Sequence, residues 1–248
     1  DPTGSLLITR PRRFGKTLNL SILYYFLTQE NAAENRLLFK GLNIEHAPLS
    51  DGQDCTKTHQ GKYRVVLMTL KGIRATTFDS FLKQMGMLLN KQYRVCDYLL
   101  EGDLLKPDEK KYFQNIIDRE APFEDLEMAL RNLMEYLSRY HKKKVVLLLD
   151  EYDTPFHEAY TSAEGAYHDK LIVFMKVFLG AALKNNPYLE KVFITGILRV
   201  SLMNLFSGAN SIPVHTVLTQ RYATYFGFIE EEVNEYIGRY KEPIDREA

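Results

Sequence analysis

The sequence predicts an α/β fold, a three-layer sandwich of helices around a mostly parallel, five-stranded sheet. Five short apolar runs are separated by longer segments with helical periodicity, and most of the runs show no alternation of apolar and polar residues. Such runs are typical of strands that are buried on both faces of a parallel sheet. Because strands and helices alternate along the chain, we expect right-handed crossovers that place helices on both faces.

The apolar runs give the positions of the predicted strands. These are Leu6–Thr9, Val65–Leu70, Val145–Leu149, Val192–Thr195 and Val214–Leu218. Apolar residues that recur every three to four positions predict amphipathic helices between the strands. These helices cover Thr17–Leu27, Phe78–Leu89, Phe123–Tyr140 and His168–Leu183.

Two further segments complete the predicted organisation. Residues 31–62 are rich in turn-forming residues, so we expect a loop with little regular structure. A helical pattern over Phe228–Tyr240 is opened by Glu230–Glu232, at the positive end of the helix dipole. We assign residues 1–227 to one domain and residues 228–248 to the start of a C-terminal helical or lid segment.

The composition excludes several classes of protein. In 248 residues, 32 Lys and Arg balance 32 Asp and Glu, which excludes a nucleic-acid coat that is basic throughout. No apolar run approaches the roughly 18 residues of a membrane helix. Cys55 and Cys96 have neither metal-ligand nor disulfide-framework spacing, which predicts a reducing intracellular compartment, the cytoplasm. The lack of an initiator Met and the abrupt C-terminal end indicate a fragment.

The residues after the first predicted strand match a phosphate-binding loop. They are Arg10, Pro11, Arg12, Arg13, Phe14, Gly15, Lys16 and Thr17. Between a strand and a helix, such a loop cradles phosphate with its backbone N–H groups, and its lysine reaches the β- and γ-phosphates of a nucleotide. The Thr17 hydroxyl is then a ligand of Mg²⁺. The general motif has glycine at position 10, so we expect Arg10 to hold the first turn and Pro11 to stiffen it.

A second motif ends the third predicted strand with two adjacent acids, Asp150 and Glu151. In P-loop ATPases the first acid completes the Mg²⁺ shell, and the second orients and deprotonates the attacking water. We therefore predict Asp150 as a metal ligand and Glu151 as a catalytic residue together with Lys16. The alternative is a strand followed by an acidic helix cap. The order and the contexts of the two motifs favour the nucleotide site.

A third strand supplies two more candidates. Thr195 ends the apolar run that begins at Val192, and Arg199 follows four residues later. In the additional-strand class of P-loop ATPases, the strand beside the Asp-Glu strand carries a polar residue that senses the γ-phosphate, which predicts that role for Thr195. Arg199 then supplies positive charge to the transition state. The alternatives are a strand-end hydroxyl bonded to the backbone for Thr195 and a surface salt bridge for Arg199.

These motifs resemble those of the AAA-ATPase-like domain family. The resemblance is carried by ITRPRRFGKTLNLS, VVLLLDEYDTP, FLGAALKNNPYLEKVFITGILRVS, LFSGANSI and YFGFIEEEV, and it extends from Leu6 to about Tyr236. The family consists of P-loop ATPases related to STAND and archaeal ATPases, often joined to a C-terminal nuclease domain of the PD-(D/E)XK superfamily. It implies a P-loop NTPase sandwich of the additional-strand type, with ATP and Mg²⁺ as cofactors. It also implies that RPRRFGK is a usual form of the phosphate loop, so Arg10 fits the family.

Other motifs give weaker signals. Lys106–Lys111 contains the acids and lysines of a nuclease site, but we interpret this run as the start of a polar helix. The cluster of Arg10, Arg12, Arg13 and Lys16 either neutralises a triphosphate or also meets a nucleic-acid backbone.

Three hypotheses for the function follow. The first is a Mg²⁺-dependent ATPase that acts as a conformational switch for an attached or partner effector domain, with nucleic-acid processing as one class of output. The second is a nucleotide-binding scaffold that hydrolyses ATP weakly, as the departure at Arg10 suggests. The third is a nucleic-acid-binding module that uses the basic residues of the phosphate loop.

Overall fold

Five parallel strands form the central sheet in the computed structural model, which describes residues 4–161, 167–197 and 212–239. The strands are β1 (Ser5–Thr9), β2 (Arg64–Thr69), β3 (Val145–Asp150), β4 (Leu189–Gly196) and β5 (Val214–His215). Their order across the sheet is β2-β3-β4-β1-β5, and every pairing is parallel. The predicted α/β fold is therefore confirmed, and β4 occupies the place of the additional strand, between β1 and β3.

The nine α-helices of the described residues connect and cover these strands. They are α1 (Lys16–Leu27), α2 (Ala32–Leu37), α3 (Cys55–His59), α4 (Phe78–Arg94), α5 (Pro107–Asp118), α6 (Phe123–His141), α7 (Thr154–Thr161), α8 (His168–Leu183) and α9 (Glu230–Gly238). The interpretation of Lys106–Lys111 as a helix start is confirmed, since α5 begins at Pro107 and the Glu109 carboxylate accepts a hydrogen bond from the Lys106 N–H. No helix in these described ranges combines the length and apolarity needed to span a membrane.

Both faces of the sheet are buried, which explains the apolar runs in the sequence. On one face, Val65, Val146 and Leu148 pack with α1 residues such as Leu20 and Phe26. On the other face, alternate residues of the same strands join the larger core that α4, α6 and α8 cover. These strand residues include Val66, Met68, Leu147, Leu149 and Ile194. Each strand must be apolar on both sides, because it has helices above and below.

The prediction for residues 31–62 is wrong in part, because this segment contains α2, α3 and a 3₁₀ helix over Asn43–His46. The helices have four to six residues, too few for apolar periodicity to be visible. Local polar contacts hold them instead, and the Asp54 carboxylate accepts hydrogen bonds from the N–H groups of Thr56 (2.9 Å) and Lys57 (3.1 Å).

The fifth predicted strand is shorter than the sequence suggests. We expected it over Val214–Leu218, but it ends at His215. The chain then turns, with the Thr219 N–H bonded to the Thr216 carbonyl at 3.0 Å, and Leu218 is 92% exposed. An apolar run at the sheet edge therefore changes from strand to surface turn.

Cys96 and Arg64 lie in a polar cluster at the amino ends of β2 and β3. The buried Arg64 guanidinium forms an ion pair with Glu30 and donates to the Cys96 sulfur at 3.4 Å. Both cysteines of the chain are free thiols, and burial raises the pKa of Cys96. This cluster lies at the opposite edge of the sheet from the carboxyl ends of the strands.

His215 of β5 is buried, and its backbone carbonyl accepts a hydrogen bond from Arg10. Neither of its ring nitrogens has a hydrogen-bond partner within the described part of the chain. Burial lowers the pKa of His215 below its ordinary value of 6.5, and the charges of Arg221 and Arg10 lower it further. The folded state therefore favours the neutral imidazole.

We expect this histidine to make folding stability depend on pH. Because the unfolded chain binds the proton more readily, the free energy of unfolding should fall as the pH drops below 6.5. Phenylalanine at position 215 has no proton to bind and keeps the ring contact with Tyr222. Urea unfolding at several pH values should show a smaller loss of stability at acid pH for His215→Phe than for the wild type. If the free energy of unfolding of the two proteins changed equally with pH, the neutral state assigned to folded His215 would be wrong.

Candidate functional site

The phosphate loop of the sequence analysis lies between β1 and α1, and it curls around Lys16. Two loop residues have positive φ, Arg13 (68°) and Gly15 (71°), and Gly15 precedes the first helical residue. The Lys16 ammonium is buried and donates to the carbonyls of Arg10 (3.0 Å) and Pro11 (2.8 Å). The loop thus forms a ring of backbone that ends at the N-terminus of α1, a geometry that suits an anion.

Burial and the neighbouring charges act on Lys16 in opposite directions. Removal from water lowers the pKa of its ammonium, whereas the carboxylates of Glu151, Asp150 and Asp153 raise it. The loop arginine Arg12 adds a smaller lowering effect. A bound polyphosphate would add negative charge and favour the protonated lysine.

The Asp150 carboxylate joins three elements at the carboxyl edge of the sheet. Its Oδ2 accepts a hydrogen bond from the Thr17 hydroxyl at 2.7 Å, and its Oδ1 accepts one from the Thr195 hydroxyl at 2.5 Å. Thr17 belongs to α1 and Thr195 to β4, and Asp150 is 1% exposed. The residues that the sequence analysis assigned to the metal and to phosphate sensing are therefore in direct contact.

Glu151 follows Asp150 with a left-handed backbone, at φ 49°. This conformation is costly for a residue with a side chain, and the surroundings fix it. The Tyr152 N–H bonds to the Thr195 carbonyl at 3.1 Å, and the Thr154 N–H bonds to the Glu151 carbonyl at 3.1 Å. The Thr154 hydroxyl also lies 3.3 Å from the Glu151 carboxylate. The backbone thus places a half-buried carboxylate at a cavity wall.

Asp153 and Gly196 lock the next turn against β4. The Asp153 carboxylate accepts a hydrogen bond from the Ile197 N–H at 2.8 Å. A Cβ atom at position 196 would lie 2.6 Å from the Tyr152 ring and 2.8 Å from Asp153, so only glycine fits. The sequence analysis found no role for Asp153 in the DEYDTP segment; here it binds the backbone where β4 ends.

The Arg10 side chain points away from the phosphate loop. Its guanidinium donates to the carbonyls of Thr9 (2.9 Å), His215 (3.0 Å) and Tyr222 (3.1 Å), and it lies 5.4 Å from the centre of the Phe226 ring. The φ of Arg10 is not positive, so glycine is not required there. Arg10 therefore contributes its carbonyl to Lys16 and its side chain to the segment that follows β5.

Phe14 forms a second contact between the loop and that segment. A Cβ atom at position 227 would lie 2.9 Å from Phe14 Cδ1, so the ring packs on the backbone of Gly227, which has φ 85°. Both Arg10 and Phe14 are loop residues that we predicted as nucleotide-binding, and their side chains instead face residues 215–227. Arg12 and Arg13 remain exposed beside the loop.

A cavity of about 780 Å³ opens beside the loop. Its lining includes the predicted residues Pro11, Arg12, Arg13, Gly15, Lys16, Thr17 and Glu151. It also includes Lys71, Arg74, His157 and Glu158, which the sequence analysis missed because they belong to no motif. Asp150 and Thr195 lie behind this wall, and Arg199 lies outside the described residues.

The oxygen donors at Asp150 suit a small, hard cation. A carboxylate and a hydroxyl are ligands that Mg²⁺ accepts when phosphate and water complete its shell. Within residues 4–161, 167–197 and 212–239, no group of three or more His, Cys, Asp or Glu side chains forms a metal cage. The Asp150 carboxylate and the Thr17 hydroxyl are thus oxygen donors of the type that such a cation takes.

One comparison with known proteins found a relationship. A family model described as a predicted AAA-ATPase matches residues 2–206, more than four-fifths of the chain. The match includes the phosphate loop, the Asp150-Glu151 pair, Thr195 and Arg199, and it ends before the Tyr236 to which the resemblance extends. Searches among curated proteins and among solved structures found no match.

The left-handed backbone at Glu151 predicts a gain in stability on substitution. Glu151→Gly removes the side chain from this conformation and should raise the free energy of unfolding by about 1 kcal/mol. Arg119→Gly is the matched control, since Arg119 also has positive φ (62°) but ends α5 away from the cavity. Denaturant unfolding should show a gain for both variants. A loss for Glu151→Gly alongside a gain for Arg119→Gly would show that the Glu151 carboxylate stabilises the fold.

Restoring the general motif at position 10 should destabilise the protein. Arg10→Gly removes the donor to the buried carbonyl of His215 and the part-buried carbonyl of Tyr222, which costs about 2 to 4 kcal/mol. Arg10→Lys should rescue little, because an ammonium cannot replace the planar fork of donors. The control is Arg12→Gly in the same loop, whose side chain is exposed. Equal unfolding midpoints for the position 10 and position 12 variants would disprove the role assigned to Arg10.

Proposed function

The chain belongs to the predicted AAA-ATPase family, and from this membership we propose that it is a Mg²⁺-dependent ATPase that works as a conformational switch. The family supports nucleotide binding and hydrolysis as the general activity. The switch, the individual roles of the site residues and the class of effector are our proposals. They are supported by the contacts of the cavity and of the phosphate loop.

One observation carries the proposal most directly, the bridging of Thr17 and Thr195 by the Asp150 carboxylate. This arrangement joins the helix after the phosphate loop, the acidic strand and the additional strand within two hydrogen bonds. A buried carboxylate costs free energy unless polar partners or a cation satisfy it. A phosphate-bound cation at Thr17 would also offset the negative charge of the Asp150 carboxylate.

Thr17 and Asp150 are the residues that would hold Mg²⁺. When bound, the metal would supply positive charge that stabilises the negative charge developing on phosphate during phosphoryl transfer to water. The Thr17 hydroxyl would turn its oxygen lone pair to the ion, and Thr195 would keep the far oxygen of Asp150 in place. The chain thus supplies orientation as well as ligands.

Lys16 and Glu151 would act on the nucleotide from opposite sides. Lys16 exchanges neutral carbonyl acceptors for phosphate oxygens, with which it forms stronger, charge-assisted hydrogen bonds. The Glu151 carboxylate lines the cavity and would orient a water molecule and accept its proton. Its fixed backbone limits the reorganisation that this step requires.

The contacts of Arg10 and Phe14 support the idea of a switch. Both residues belong to the phosphate loop, yet their side chains bind the segment 215–227 that leads to α9. A change in loop conformation would therefore change contacts at Tyr222, Phe226 and Gly227. We propose that residues from 228 onward begin a separate segment and pass this change to an effector, for which the family resemblance suggests a nuclease-type domain.

A second candidate is a nucleotide-binding scaffold with weak hydrolysis. It is favoured by the hydrogen bonds of Lys16, whose ammonium donates to two carbonyls of its own loop. Nucleic-acid binding by the loop is less favoured, because the Arg10 guanidinium is committed to carbonyls inside the fold.

The test measures ATP binding and turnover, with and without Mg²⁺, for the wild type, Lys16→Ala and Glu151→Gln. We expect Lys16→Ala to weaken binding about tenfold or more, because it removes a charged hydrogen-bond donor to phosphate. Glu151→Gln should retain binding and lower turnover by about 100-fold or more. Lys40→Ala and Glu120→Gln are matched controls at exposed positions outside the cavity.

The outcomes separate the candidates. Turnover that requires Mg²⁺ and falls in Glu151→Gln supports the ATPase. Tight binding without turnover in the wild type supports the scaffold, and a wild type that binds no nucleotide overturns both.

A further inference from the structure

The loop between β2 and α4 brings two cations to the cavity from outside any recognised motif. Lys71 and Arg74 are exposed and line the same cavity as Lys16. The loop leaves the sheet beside the acidic pair, since Thr69 is aligned with Asp150 and the Leu70 N–H bonds to the Asp150 carbonyl at 2.9 Å. The position of both cations therefore follows from the pairing of β2 with β3, the strand that ends at Asp150.

The backbone of this loop is firmly held. Gln84 of α4 binds Arg74 on both sides, accepting from its N–H at 2.8 Å and donating to its carbonyl at 3.1 Å. The Tyr167 hydroxyl donates to the Ala75 carbonyl at 2.6 Å, and Ile73 is buried. The exposed Arg74 side chain thus extends from a backbone that is held on both sides, which lowers the cost of ordering it on binding.

The charges around the cavity favour an anion. Five lysines and arginines line it, against three aspartates and glutamates. The Lys71 ammonium has no ion-pair partner among residues 4–161, 167–197 and 212–239. Clefts with an excess of one charge concentrate ligands of the opposite charge.

The order of the strands decides which part of a nucleotide these cations can reach. The phosphate loop follows β1, and Lys71 follows β2, on the other side of β3 and its Glu151. Three strand spacings, about 14 Å, separate β1 from β2. A polyphosphate that is held by the loop, with its reacting end toward Glu151, would present that end to Lys71 and Arg74.

We propose that Lys71 and Arg74 bind the terminal phosphate of a nucleoside triphosphate, so that the site distinguishes triphosphate from diphosphate. This inference rests on the proposed function, because it takes the position of the nucleotide from the roles of Lys16 and Glu151. A diphosphate ends before the second pair of cations, whereas a triphosphate reaches them.

Glu158 of α7 is the carboxylate that pairs with Arg74. Its carboxylate lies 4.0 Å from the Arg74 Nε, and the Arg74 side chain is 71% exposed, so the pair is weak. The terminal phosphate carries more charge than one carboxylate and can replace it. Loss of the Glu158 charge should therefore release Arg74 and strengthen triphosphate binding.

The test compares ATP and ADP affinities in the presence of Mg²⁺, in a Glu151→Gln background where slow turnover preserves ATP during the measurement. Lys71→Ala and Arg74→Ala should each weaken ATP binding about tenfold while ADP binding changes less than about twofold. Glu158→Gln should strengthen ATP binding about two- to threefold, and only when Arg74 is present. Arg94→Ala removes an exposed arginine at the far end of α4 and should change neither affinity.

Lys16→Ala, measured in the same series, separates this inference from the proposed function. Lys16→Ala could weaken the binding of both nucleotides while the Lys71 and Arg74 variants bind ATP normally. That result would disprove the role proposed for Lys71 and Arg74 and would leave the proposed nucleotide site intact. Equal weakening of ATP and ADP by Arg74→Ala would also overturn discrimination by the terminal phosphate. If the parent protein binds neither nucleotide, the proposed function and this inference fail together.

Discussion

The buried Asp150 carboxylate is the constraint on which the rest of the site depends. One carboxylate oxygen accepts a hydrogen bond from the Thr17 hydroxyl and the other accepts one from the Thr195 hydroxyl. The charge of Asp150 is therefore satisfied only when α1, β3 and β4 meet at one edge of the sheet. The carbonyl of the same residue accepts the Leu70 N–H and places the loop after β2. One residue therefore sets both walls of the cavity, because a carboxylate this deeply buried is costly without its partners.

The tight packing beside Asp150 explains the strained residue next to it. Gly196 leaves no space for a side chain against Tyr152 and Asp153, so β4 lies very close to the turn after β3. The turn between β3 and α7 begins at Glu151, which has positive φ. This strained conformation is retained because backbone hydrogen bonds hold the residues that follow Glu151. They join the Tyr152 N–H to the Thr195 carbonyl and the Thr154 N–H to the Glu151 carbonyl. The unfavourable backbone conformation thus occurs at Glu151, the residue whose carboxylate lines the cavity.

The sequence predicts the parts of this design that local patterns encode. Buried strands leave apolar runs, and the phosphate loop with the Asp150-Glu151 pair has fixed spacing between a strand and its neighbour. The role of Arg10 was not predictable, because its partners His215 and Tyr222 lie more than 200 residues away along the chain. Lys71 and Arg74 were missed for another reason: a charged loop after an edge strand has the composition of any solvated loop, and only the strand order brings it to the cavity.

The substitution of the motif glycine by Arg10 then has a physical meaning. Glycine is needed where the backbone has positive φ or where a side chain has no space, and at position 10 neither holds. A long side chain is therefore free to leave the loop, and it binds carbonyls on both sides of the turn that follows β5. A ligand changes a distant segment only through contacts that differ between two states of the loop. In the proposed switch, Arg10 and Phe14 would supply such contacts, because each belongs to the phosphate loop by its backbone and contacts residues 215–227 with its side chain.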